Sequence, residues 1–100
     1  MIRAVDVIDY REGAVVSRTL FKRPTGTVSV FAFDQGQGLK EHTAPFDALA
    51  HVLEGEAEIS IDGQLHQVSA GELIVMPAHQ PHALTARTPF KMLLTTIRSA

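Results

Sequence analysis

Hydrophobic and polar positions along this chain alternate in short runs separated by turn residues. Residues 27–34 (TVSVFAFD) form the clearest run of the first half. Val28, Val30 and Ala32 share one face there, with Thr27, Ser29, Phe31 and Phe33 on the other. Both faces are largely apolar, so this strand is expected to be covered on both sides. Residues 56–61 alternate cleanly, with Ala57, Ile59 and Ile61 inward and Glu56, Glu58 and Ser60 outward. Asp62-Gly63 then predicts a two-residue hairpin, and residues 64–68 the returning strand. Shorter runs predict further strands at 3–9, 14–22, 48–53, 73–76, 82–86 and 90–98. The breaks between them are polar or rich in Gly and Pro: 11–13, 23–26, a loop over 36–47, and 69–72. No segment holds a period of 3.6 with caps. Closely spaced short strands with turns between them predict an all-β sandwich or barrel, in one domain over residues 1–100.

Composition narrows the function classes. The chain of 100 residues is 45% hydrophobic and 20% charged, enough material for a packed core. A formal charge of −2, with no basic run, gives no pull toward nucleic acid or anionic lipid. There is no cysteine, which excludes disulfides and thiolate metal sites. The N-terminal residues reach Asp6 without a long apolar run, so neither a signal peptide nor a membrane span is expected. The default expectation is a cytoplasmic protein. No P-loop, dinucleotide-binding glycine fingerprint or nucleophile elbow is present. Ser17, Ser29, Ser60, Ser69 and Ser99 have no triad partners in view.

The candidate chemistry sits in two segments that hold four of the five histidines. The first, residues 36–55 (GQGLKEHTAPFDALAHVLEG), opens in a glycine-rich loop, delivers His42, turns at Pro45 and ends in an apolar strand. The second, residues 71–86 (GELIVMPAHQPHALTA), runs from strand through a Pro turn to His82. A site is expected where they meet.

The spacing of Gly36, His42 and Gly55, followed by that of Gly71, Pro77 and His82, resembles the two motifs of the cupins. The chain is similar to a small single-domain cupin of the RmlC-like kind from about Thr27 onward. That resemblance implies a double-stranded β-helix, the jelly-roll barrel, with 27–98 as its core. It also implies a homodimer, with the N-terminal strands of residues 1–26 contacting the partner chain. Metal-binding cupins use a His-x-His pair and a Glu from the first motif and a His from the second. His42 and His82 hold the first and last of these positions, whereas Ala44 and Ala48 stand at the other two. His79, in the Pro turn, and Asp47, one residue before the Glu position, are the candidate replacements. Alternation turns Asp47 away from the barrel unless a bulge re-aims it. It likewise places His51 on the outer face, and His66 is expected near a wet hairpin tip.

Two imidazoles alone make a weak site, because a stable divalent centre ordinarily needs three protein ligands. One divalent metal (Zn, Ni, Mn or Fe) and no metal at all both remain open. The small residues Ala44, Ala48, Ala50 and Val52, with Phe46 and Met76 beside them, instead suggest a pocket for a modest organic molecule. The expected function is therefore small-molecule binding at a degenerate histidine pocket. A metal-dependent enzyme of oxygenase, isomerase or cyclase type and an interaction role through a dimer surface are the alternatives.

Overall fold

The computed structural model describes residues 1–98; Ser99 lies outside them. A 3-10 turn at Ala4–Asp6 precedes nine strands. These are β1 (Val15–Arg23), β2 (Gly26–Phe33), β3 (Gly38–His42), β4 (Asp47–Glu54), β5 (Glu56–Ile61), β6 (Gln64–Ser69), β7 (Leu73–Met76), β8 (His82–Ala86) and β9 (Phe90–Ile97). Every pairing is antiparallel. One sheet has the order β1-β2-β9-β4-β7 and the other β3-β8-β5-β6. Their inner faces pack together as a jelly-roll barrel.

Alternation decides what enters the barrel. Phe33 stands opposite Phe90, their rings stacked at 4.4 Å, and together they plug one end. Along the β4–β9 pair, successive layers are Val52 with Met92, Ala50 with Leu94, and Ala48 with Thr96. Ala57, Ile59, Leu84 and Ala86 close the core from the smaller sheet. Burying each large member contributes about 1.5–3 kcal/mol. At the β4–β5 corner Gly55 has φ +79°, and a Cβ there would overlap the Pro89 carbonyl, so only glycine turns this corner so tightly.

Two sequence expectations fail locally. Residues 3–9 form no strand; they make the 3-10 turn and a strap across the outer face of the larger sheet. Ile8 packs there against Val30 and Ala32. The buried Lys91 ammonium donates to the Val5 carbonyl at 2.7 Å, and the Tyr10 hydroxyl donates to Glu54 Oε2 at 2.5 Å. Tertiary contacts, not alternation, set the conformation of this strap. Of the N-terminal region expected as strands, only β1 is one, and it pairs with β2 of its own chain. The second failure is β3, which lies inside the stretch read as a loop. It is an edge strand with Lys40, Glu41 and His42 exposed, so backbone pairing to β8 holds it without an apolar pattern.

Beyond the strap, the outer face of the larger sheet is apolar and uncovered. Phe21, Leu73, Val75 and Ile97, exposed at 53%, 57%, 52% and 56%, all lie on it. Val28, Thr95 and Leu49 continue the row between Phe21 and Val75.

Candidate functional site

The open end of the barrel holds a cavity of about 120 Å³. Its walls are Leu39, Phe46, Met76, Leu84, Met92 and Leu94, with Ala44 and Ala48 leaving room and Thr96, His42 and His82 as the polar members. Two local features bring the histidines together. Gly38 lets β3 run against β8, since a Cβ at that position would overlap the Leu84 carbonyl. A β-bulge follows: Leu39 pairs with Leu84 and His42 with His82, leaving both Lys40 and Glu41 opposite Ala83. In a regular strand Leu39 and His42, three apart, would face opposite sides; the extra residue puts both toward the cavity.

The rings of His42 and His82 meet edge to face, with centroids 4.3 Å apart. Each is anchored in the same way. His42 Nδ1 lies 2.8 Å from the Lys40 carbonyl, and His82 Nδ1 lies 3.2 Å from the Gln80 carbonyl. A carbonyl oxygen only accepts, so both Nδ1 atoms carry the hydrogen and both Nε2 atoms of the neutral rings are acceptors. His82 is 6% exposed, yet no buried side-chain nitrogen or oxygen among the described residues lacks a partner. Its Nε2, which makes no hydrogen bond there, is therefore reached from the cavity. At the same end, Thr96 Oγ1 accepts from the Thr27 N–H at 3.1 Å and lies 2.7 Å from Thr27 Oγ1.

The other candidates are placed elsewhere. The register of β4 is regular at Asp47, so no bulge re-aims it, and Asp47 Oδ1 accepts from the Ala78 N–H at 2.8 Å. His79 is exposed, with φ +68°, and its N–H donates to the Ala44 carbonyl at 2.8 Å. It ties two mouth loops together through its backbone and does not line the cavity. Ala50 and Val52 do not line it either; their β9 neighbours Leu94 and Met92 do, because longer side chains cover the alanine and valine. His51 lies on the outer face between Leu73 and Leu93. His66 is half-buried opposite Ile59, drier than its hairpin position suggested. Leu39, Leu84, Met92, Leu94 and Thr96 were not among the pocket residues expected from the sequence. The i, i+2 spacing of His82 and Leu84 was the available signal for one of them.

A family model described as a cupin domain matches residues 29–97. The chain belongs to the cupin family. Among solved structures, this cupin is similar to a conserved protein of unknown function from Streptococcus pyogenes. The identity is 37%, over 100% of this chain and 88% of that one, with a TM-score of 0.95. A cupin superfamily protein from Desulfitobacterium hafniense is 32% identical over 96% of this chain and 87% of its own, with a TM-score of 0.90. A cupin 2 conserved barrel domain protein from Leptotrichia buccalis is 41% identical over 94% of this chain, with a TM-score of 0.90, and this cupin spans 46% of that longer chain. No curated protein matches the sequence.

Metal-binding members of the family set the test for a metal here. Among the described residues of this cupin, no group of three or more His, Asp or Glu side chains could hold an ion. His42 and His82 supply two nitrogens, the walls supply no carboxylate, and Ala44 and Ala48 stand where the further ligands would be. That donor set does not make a three-ligand divalent centre. No helix among the described residues is long and apolar enough to cross a membrane.

Proposed function

We propose that this cupin is a small-molecule-binding protein whose ligand enters the open end of the barrel and is held between His42 and His82. The observation that carries the reading is the pairing of two anchored imidazoles over an apolar cavity. Cavities of this kind, with few polar groups at fixed positions, are the usual form of a ligand site. The reading sets the protein in the cytoplasm and calls for neither nucleic acid nor a membrane.

The test is elemental analysis of untagged protein, paired with a thermal-shift screen of small organic molecules on wild type and His42→Ala. The expected result is substoichiometric metal, none taken up from added Zn, Ni, Mn or Fe, and ligand-induced stabilisation that His42→Ala weakens. Near one metal per chain, lost in His42→Ala, would replace this reading with the metal-dependent enzyme. A ligand completing the coordination from outside the chain would then be required.

A second reading concerns the outer face of the larger sheet. Its four half-exposed apolar side chains, with Val28, Thr95 and Leu49 between Phe21 and Val75, suit a second copy of the same surface, because pairing removes apolar area from water on both sides. Homodimerisation through this face, rather than through an added N-terminal strand, is the proposal.

A further inference from the structure

The chemistry of the cavity wall narrows the ligand beyond its size. No Asp, Glu, Lys or Arg lines the cavity. An ion carried inside would leave its hydration without gaining a counter-charge, which an apolar site disfavours. An uncharged body is what these walls accept. Size sets the second limit: a dry cavity of ~150 Å³ holds benzene, and this one is about 120 Å³ with an open mouth. The third limit comes from the tautomers. With both Nδ1–H groups spent on the Lys40 and Gln80 carbonyls, the histidines offer the cavity acceptors and no donors.

We propose, resting on the ligand-binding reading above, that the pocket takes an uncharged, largely apolar molecule of roughly five to seven heavy atoms that donates an O–H or N–H to Nε2 of His42 or His82. The apolar part lies against Leu84, Met92 and Leu94, and the donor faces the mouth. A ligand with an acceptor in place of the donor sets its lone pair against that of the imidazole and is selected against. Arg98 marks the rival chemistry. Its guanidinium stacks 4.4 Å from the Phe46 ring, outside the cavity lining, where a carboxylate held at the mouth could reach it.

Three probes of similar shape separate the possibilities: phenol, toluene and benzoate, titrated against ¹⁵N-labelled protein and read by amide and imidazole shifts. The expected result is phenol binding about tenfold tighter than toluene, the effect of roughly one net hydrogen bond, with benzoate weakest. His42→Ala, at an exposed position, should narrow the phenol-to-toluene ratio, and so should His82→Asn, which keeps a polar side chain at the buried position; a ratio unchanged in both variants would overturn the inference. Toluene equal to phenol in the wild type would overturn this inference and leave the ligand-binding reading standing. Benzoate binding tightest would overturn it in favour of an anion site at Arg98. Binding of none of the three would overturn both readings.

Discussion

At the scale of single residues, the mouth of the barrel separates groups that face the cavity from groups that hold the loops around it. His42 is exposed and makes one side-chain hydrogen bond, so His42→Ala should change stability by less than about 0.5 kcal/mol. His82 is buried, and His82→Ala should cost about 1–2 kcal/mol without unfolding the protein, measured by urea denaturation. His79 contributes its backbone only, at a φ that a side chain disfavours by about 1–2 kcal/mol. His79→Gly relieves that strain but adds freedom to the unfolded chain, for a net gain of about 0.5–1 kcal/mol. The expected calorimetric result is a Tm a few degrees higher, with no loss of ligand response; a lower Tm would mean that the imidazole itself bonds to the loop. Both mouth histidines were legible from motif spacing. That His79 stays off the cavity lining was not, because the sequence shows a histidine near a site and not the direction of its side chain.

Among the elements, the N-terminal strap offers the cleanest handle. Tyr10 is the only tyrosine and there is no tryptophan, so tyrosinate absorbance reports this one group. Burial, reinforced by the hydrogen bond to the Glu54 carboxylate and by its charge, holds the phenol well above its ordinary pKa. A raised pKa means that the folded state keeps the proton longer. The strap's contribution is thus fully present below the ordinary value of about 10 and is lost as pH rises beyond it. Folded protein should show no tyrosinate signal at about pH 10.5, where denatured protein is largely ionised; an equal signal in both states would rule out the docked strap. Lys91→Met leaves the Val5 carbonyl without its donor and should cost about 1–3 kcal/mol, with faster amide exchange over residues 1–10. The sequence could not announce the strap, since its partners lie 44 and 86 residues away. The β3 bulge is equally non-local: only pairing with β8 shows that Lys40 and Glu41 together oppose one residue.

For the molecule as a whole, the uncovered outer face makes oligomeric state the decisive property. Val75→Asp places a charge in the middle of the apolar edge without touching the barrel interior. Light scattering of the wild type at micromolar concentration should give twice the chain mass, and Val75→Asp the single-chain mass with little change in folding. A wild-type monomer at that concentration would assign the face no role in self-association.

The local sequence determined most of the strands, the hairpin at Asp62-Gly63, the lack of a long helix among the described residues and the two motifs that carry the cupin relationship. All are properties of neighbours along the chain: alternation with period two, turn residues with special φ, and spacing between a glycine and a histidine. Only the tertiary structure decided that His42 turns toward His82 across a bulge, that both rings are held as acceptors, and that Leu94 and Met92 rather than Ala50 and Val52 line the cavity. It also decided that residues 1–10 are a strap. Each of these depends on which strand lies beside which and in what register. Register is settled by packing across the barrel, between residues that the sequence keeps far apart.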